Sequence, residues 1–160
     1  MQITVEMVMQ ERPCVDYPES RVRELWSGRE SLSPSDVAAL DIPFSDRAWL
    51  LGRILGHNDK TRVVVRRIVR DALGDMEIPD AYKLWLDSGD KSLRNAARDA
   101  AWSADWKSDW YSVATITRDA TWFSDKDVAW YTAGSASVYY GSSTWGKYLG
   151  WMVEFLEDIK

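Results

Sequence analysis

The chain has 160 residues, 46% of them hydrophobic and 28% charged, which is typical of a globular protein with a core large enough for one domain. Its net charge of −5 argues against a general nucleic-acid-binding protein. A single cysteine, Cys14, excludes an internal disulfide, and with a single histidine, His57, we expect neither a metal site nor a cofactor.

The sequence carries no recognisable targeting signal. Residues 1–13 have neither a basic segment nor a long apolar run, and no stretch of 18 apolar residues occurs, so we expect a cytoplasmic protein with no membrane partner. Ten tryptophans are far more than usual for this length. We expect most of them in an aromatic core, with an aromatic binding surface as the alternative.

The first residues are compatible with two structures. Residues 2–7 alternate polar and apolar side chains, which is typical of a β-strand. Thr4 also fits the N-cap of a short helix over residues 5–10, because Met, Glu and Gln are good helix formers. Pro13 ends regular structure in either case, and the sequence leaves strand and helix open.

Apolar residues at helical spacing, with capping residues before them and glycines after them, predict five helices in the first half of the chain. The clearest start is Ser33-Pro34-Ser35-Asp36, which has a capping serine, a proline at the first helical position and an acid three residues on. The predicted helices cover residues 19–26, 34–40, 46–55, 60–73 and 80–86.

A tryptophan repeat marks the helix that we expect at the centre of the fold. Trp102, Trp106 and Trp110 recur every four residues, which places them on one face of a helix that begins near Asp90. The opposite face carries mostly small apolar side chains, so this helix needs neighbours on both sides. Helix propensity falls at residues 115–117, and we predict a break there.

Beyond this break the sequence predicts two more helices joined by a loop. Ser124 is suited to cap a helix that continues to about Ala133. Residues 143–144 are suited to cap a last helix that reaches Leu156. The segment 134–144 between the two helices is rich in glycine and serine and is predicted to be a loop.

Together these elements predict an all-α fold. We expect a single domain, residues 1–160, built as a compact bundle of about seven helices around the tryptophan-rich helix. Short helices fill residues 1–89, and residues 90–160 form the tryptophan-rich half. A short N-terminal strand is the one β-element that this prediction leaves open.

Arg62, Arg66 and Arg70 recur every four residues and form a basic ridge on the helix over residues 60–73. One interpretation is that a phosphate group or an acidic partner binds there. The other is a solvated face that pairs with acidic side chains or a neighbouring helix, in which case glutamine at all three positions leaves fold and binding nearly intact. No aromatic residues interleave with the arginines, which argues against binding of single-stranded nucleic acid.

Tyrosines cluster at the segment rich in glycine and serine. Tyr139 and Tyr140 lie inside it, and Tyr131 precedes it. Tyrosine provides contact area at low entropic cost, so we predict that these residues bind a partner protein, with core packing as the alternative.

No arrangement of residues predicts a reaction. His57 lies in a predicted loop with neither a nucleophile motif nor a phosphate-binding loop beside it, and we interpret it and Cys14 as structural residues. The aspartates between residues 99 and 127 fit helix caps and solvated flanks better than a pair of catalytic carboxylates. We therefore expect no catalytic residues and no enzyme activity.

Five short motifs run through the first two thirds of the chain: Ile3-Thr4-Val5-Glu6 with Pro13-Cys14, Ala39-Leu40-Asp41-Ile42-Pro43 with Asp46-Arg47-Ala48-Trp49, Arg70-Asp71-Ala72-Leu73, Lys83-Leu84-Trp85-Leu86 with Gly89, and Ala96-Ala97-Arg98-Asp99-Ala100-Ala101-Trp102. In these motifs the chain resembles the immunity-protein-five-like group of bacterial and phage immunity proteins, which are rich in Ala/Trp repeats. After Trp106 the sequence departs from that group, because Ser, Thr and Tyr replace much of the alanine.

The resemblance implies an all-α, non-enzymatic protein that neutralises another protein, and it supplies no catalytic residues. We therefore predict a protein-binding inhibitor. Its partner would be a toxin, if it is an immunity protein, or a host defence component, if it is a phage-borne anti-defence factor. The alternative is a nucleic-acid-associated regulator that uses the basic ridge.

Trp106 lies in the middle of the tryptophan repeat, and we expect it in the core. Trp106→Ala should then lower the free energy of unfolding by about 3–5 kcal/mol, as truncation of other buried aromatic side chains does. Chemical denaturation measures this change. A midpoint unchanged within error would place the repeat on the surface.

Overall fold

The structure, a computed structural model, describes residues 1–57, 61–103, 111–123, 127–141 and 143–158, with the backbone alone at residues 111–113, 139 and 140. In these ranges it is mostly helical, which confirms the all-α prediction, and it has ten α-helices where about seven were expected. None of the described helices is long and apolar enough to cross a bilayer. The helices are Val5–Gln10 (α1), Glu19–Trp26 (α2), Pro34–Ala38 (α3), Phe44–Leu55 (α4), Thr61–Leu73 (α5), Asp80–Ser88 (α6), Arg94–Ser103 (α7), Tyr111–Trp122 (α8), Val128–Tyr140 (α9) and Ser143–Glu157 (α10).

Both structures considered for the N-terminus are present, one after the other. Ile3–Thr4 (β1) pairs antiparallel with Ser31–Leu32 (β2), with Ile3 opposite Leu32. The Thr4 hydroxyl then accepts a hydrogen bond from the Met7 amide at 3.3 Å and starts α1. The buried Trp26 indole donates to the Ile3 carbonyl at 3.1 Å, so α2 is fixed to the same strand.

Local capping explains why the helices of the first half are where the sequence predicts them. At the start of α3 the Ser33 hydroxyl accepts from the Asp36 amide at 3.0 Å, and the Asp36 carboxylate accepts from the Ser33 amide at 2.9 Å. These bonds to Ser33 lower the pKa of Asp36. At the end of α6, Gly89 adopts a positive φ of 69°, which glycine tolerates without steric cost.

The predicted loop over residues 134–144 is wrong. Residues up to Tyr140 belong to α9, Gly141 follows with a φ of 93°, and α10 begins at Ser143. Composition misleads here because small residues suit a buried helix. Ser137 is 4% exposed, and its hydroxyl donates to the Ala133 carbonyl at 2.8 Å, so its polar group is satisfied inside the core.

The predicted break at residues 115–117 is also absent, because α8 is continuous to Trp122. Thr117 and Thr121 are buried, and their hydroxyls donate to the carbonyls of Ala114 and Thr117 at 3.0 and 3.1 Å. Burial and these bonds outweigh the low helix propensity of threonine.

The element at the centre of the bundle is α9, which packs against α4, α5, α8 and α10. Its alanines are fully buried, and Gly52 of α4 approaches it so closely that a Cβ there would lie 3.3 Å from the Cβ of Trp130. The helix that carries Trp102, α7, packs against α6 and α8. We therefore correct the expectation of a tryptophan-rich central helix. Trp106 and Trp110 lie outside the described residues, and the predictions about them stand as predictions.

A buried carboxylate joins three parts of the bundle. Glu11, at the end of α1, is 5% exposed and accepts from Arg53 of α4 at 3.0 Å and from the His57 ring. Arg53 also donates to Asp127, which directly precedes α9. The network ties the N-terminal segment to α4 and α9, and the His57 ring takes part in it.

Glu11→Gln should lower the free energy of unfolding by about 1.5–3 kcal/mol, because it removes the charge from a buried hydrogen-bonded pair. The matched control is Glu6→Gln on the same helix, where the Glu6 carboxylate is exposed and lies 3.6 Å from Arg23. We expect the control to leave the denaturation midpoint nearly unchanged. Equal midpoints for the two variants would contradict the role given to Glu11.

Candidate functional site

The basic ridge lies against neighbouring helices, although the Arg70 side chain is 49% exposed. Arg62 reaches from α5 to the carboxyl end of α8 and donates to the carbonyls of Ala120 and Phe123 at 2.5 and 2.8 Å. Arg94 of α7 reaches the same end and donates to Thr121 and Phe123 at 2.9 and 2.7 Å. Two guanidinium groups thus cap carbonyls that a helix end leaves without helical partners.

Arg66 and Arg70 cap the carboxyl end of α6 in the same way. Both donate to the Leu86 carbonyl, Arg66 at 3.4 Å. Arg66 lies so close to Gly89 that a Cβ there would be 1.9 Å from its Nη1 atom, so a side chain at this position would displace the guanidinium. Partial burial and the nearby charge of Arg70 lower the pKa of Arg66. The geometry agrees with pairing to neighbouring helices but not with a fully solvated face, so we correct the expectation that glutamine at all three positions leaves the fold nearly intact. Use of the ridge by a partner stays a prediction.

The predicted tyrosines all lie on α9. Tyr131 is 38% exposed, and its ring stacks on Phe123 with centroids 3.8 Å apart and planes 2° from parallel. Tyr139 and Tyr140 are the last two residues of the helix. Their side chains lie outside the described part of the chain, so their contact with a partner stays a prediction.

A pair of exposed tryptophans lies on α7 and α8; the sequence predicts Trp102 in the core and does not single out Trp122 as exposed. Trp102 of α7 is 52% exposed and Trp122 of α8 is 59% exposed. Their rings meet edge to face with centroids 5.9 Å apart. Ala97 and Ala101 are the buried residues of α7, so this helix packs through its small side chains and leaves Trp102 outside.

The arginine of each helix lies over the tryptophan ring of the other helix. Arg118 of α8 lies 4.7 Å from the centroid of Trp102, and Arg98 of α7 lies 5.8 Å from that of Trp122. The Arg118 Nε atom is buried and has no hydrogen-bond partner among the described residues. In each helix the arginine precedes the tryptophan by four residues. This repeated spacing is the sequence signal that would have indicated two exposed rings, each with a cation nearby.

The same surface continues onto α9. Thr115 and Trp122 are seven residues apart on α8 and therefore point within about 20° of each other. Thr115 lines a shallow groove of about 330 Å³ together with Tyr131 and Val138, and Val138 is 77% exposed. We call these exposed residues of three neighbouring helices the aromatic face; it comprises Trp102, Trp122, Tyr131, Val138, Arg98 and Arg118.

A polar contact lies beneath the aromatic face, between α8 and α9. The Ser135 hydroxyl donates to the Asp119 carboxylate. Burial raises the pKa of Asp119, and the bond from Ser135 offsets part of that effect. The contact fixes α8 beside α9 and so holds the two sides of the groove in place.

No protein-family model, curated protein or solved structure matches the chain. Within the described ranges, no three His, Cys, Asp or Glu side chains are placed to hold a metal ion. The candidate site therefore consists of exposed aromatic rings and guanidinium groups.

Arg62→Gln should lower the free energy of unfolding by about 1.5–3 kcal/mol, because charged hydrogen bonds to the end of α8 are lost. The matched control is Arg67→Gln on the same helix, where the exposed Arg67 pairs with Glu154 at 2.9 Å. We expect the control to cost less than about 1 kcal/mol in urea denaturation. If both variants unfold at the same urea concentration, Arg62 is a solvated residue after all.

Proposed function

We propose that this protein is a non-enzymatic, protein-binding inhibitor that binds its target through the aromatic face. The observation that carries the proposal is the exposed pair Trp102 and Trp122 with an arginine over each ring. Tryptophan, tyrosine and arginine dominate the energetics of protein interfaces, and here they lie side by side. Exposed apolar residues are unremarkable singly, but a contiguous group of them is typical of an interaction site.

The contacts within the aromatic face favour tight binding. The tryptophan rings rest on each other and on guanidinium groups, and Tyr131 rests on Phe123, so few rotamers remain to be fixed when a partner binds. Guanidinium groups are weakly hydrated, which lowers the cost of covering them. The α8 end that carries Trp122 is held by Arg62 and Arg94.

The sequence resemblance to immunity-protein-five-like proteins supports the same class of function. On that basis the target is a toxin, for an immunity protein, or a host defence component, for a phage-borne anti-defence factor. Both targets act inside the cell, in keeping with the expected cytoplasmic location. The aromatic face would cover the surface through which the target acts on its own substrate or partner.

The alternative of a nucleic-acid-associated regulator has less support. The guanidinium groups of Arg62, Arg66 and Arg70 donate to main-chain carbonyls at two helix ends. A phosphate backbone would have to displace those bonds. It would also have to bind a chain of net charge −5.

Trp122→Ala tests the proposal once the target has been captured from the natural host and purified. We expect its dissociation constant to rise by about 30-fold or more, because a central interface tryptophan contributes about 2 kcal/mol or more. The melting temperature should change little, since the ring is more than half exposed. Calorimetric titration and thermal melting measure the two effects.

Phe44→Ala is the matched control. Phe44 is 49% exposed on α4, and Arg47 lies 4.0 Å from its ring centroid, so it reproduces an exposed ring with a cation outside the aromatic face. This variant should bind like the unmodified chain. Unchanged affinity of Trp122→Ala for the target would contradict the proposal. If the affinity of the unmodified chain falls steeply from low to physiological salt, binding to phosphate groups is favoured instead.

A further inference from the structure

An apolar cavity of about 380 Å³ is lined by none of the aromatic-face residues, although Trp130 lines both this cavity and the groove beside Tyr131. This volume is in the range of small-molecule sites, which are mostly apolar with a few polar groups that fix orientation. The N-terminal segment, α2 and α4 form its walls, and Trp130 of α9 completes it. The apolar residues around it are Val8, Pro13, Val22, Leu25, Trp26, Leu40, Ile42, Trp49, Leu50 and Trp130.

The polar residues that line the cavity differ in what they can still bind. The Tyr17 hydroxyl donates to the Asp46 carboxylate at 2.5 Å, and the Ser45 hydroxyl donates to its other oxygen at 3.1 Å. Burial and the bond to Asp46 raise the pKa of Tyr17 to about 12, so this hydroxyl stays protonated and donating. The Asp46 carboxylate thus accepts one hydrogen bond on each oxygen from within the protein.

Arg12 lines the same cavity, and it pairs with no carboxylate within the described ranges. Its guanidinium therefore supplies an available positive charge next to apolar walls. Guanidinium groups bind carboxylates through two parallel hydrogen bonds, which fixes the orientation of the bound molecule.

The backbone at Arg12 adopts the left-handed conformation, which is unusual for a residue other than glycine. Arg12 follows the end of α1 with a φ of 54°, and its amide donates to the Met9 carbonyl at 3.1 Å. Glycine is the usual residue at this position of a helix end, because a side chain destabilises the left-handed conformation. Arg12 therefore combines this conformation with a place in the cavity lining, and the combination supports a role for its side chain there.

We propose that the cavity binds a small organic acid with an apolar body. The body lies against the tryptophan and aliphatic walls, and the carboxylate binds the guanidinium of Arg12. Asp46, the one carboxylate in the cavity lining, is engaged with Tyr17 and Ser45, whereas Arg12 has no carboxylate partner in the described ranges, and this difference favours an acid over an amine.

Decanoate is the probe, and 1-decanol and decyltrimethylammonium, which share its apolar chain, are the comparisons. Calorimetric titration of the full chain, below the concentration at which the probes form micelles, should show decanoate binding about tenfold or more tightly than 1-decanol, because only decanoate pairs with Arg12. The cation should bind most weakly. Equal affinity for decanoate and 1-decanol, or no binding of either, would overturn the proposal.

Arg12→Gly separates a binding residue from a structural one. It relieves the positive φ, so the melting temperature should rise, while the affinity for decanoate falls to that for 1-decanol. The matched control is Ser27→Gly, because Ser27 is the other described non-glycine residue with a positive φ, 51°, and does not line the cavity. That variant should bind decanoate unchanged. Unchanged affinity in Arg12→Gly would assign the arginine no part in binding.

Two further variants locate the bound acid. Ile42→Trp adds volume where Ile42 lines the cavity and should abolish binding of both decanoate and 1-decanol. Trp122→Ala, on the aromatic face, should bind decanoate like the unmodified chain. Binding that survives in Ile42→Trp, or disappears in Trp122→Ala, would place the acid outside the cavity and contradict the proposal.

Discussion

Guanidinium groups that bind main-chain carbonyls at helix ends hold this bundle in its arrangement. The last carbonyls of a helix lack helical partners and carry the negative end of its dipole. A positively charged donor therefore stabilises them both by hydrogen bonding and by its charge. Arg62 and Arg94 meet at the end of α8 from two different helices, and Arg66 and Arg70 meet at the end of α6. Each contact fixes the position of one helix relative to another.

The aromatic face depends on this arrangement. Trp122 and Phe123 lie at the end of α8 that Arg62 and Arg94 hold. Trp122 meets Trp102 of α7, and Phe123 meets Tyr131 of α9, so three helices must keep their relative positions for the rings to form one surface. The arginine of each helix then lies over the tryptophan of the other: Arg98 of α7 over Trp122, and Arg118 of α8 over Trp102.

Small side chains at the centre allow the helices to approach this closely. The buried face of α9 is built largely from alanine and short polar residues, and the Ser137 hydroxyl bonds within the helix. Trp130, on the same helix, lines both the groove of the aromatic face and the apolar cavity. One central helix thus contributes a wall to each of the two proposed sites.

By itself, the sequence determined the helices whose ends are set by nearby residues, as at Ser33 with Asp36 and at Gly89, because a cap satisfies local hydrogen bonds. It also determined the all-α class, through the spacing of apolar residues. Only the tertiary structure decided that residues 134–140 are helical, that the basic ridge caps other helices, and that Trp102 is exposed. The physical reason is that periodicity shows which residues share a face, whereas the partners that a face meets come from distant parts of the chain.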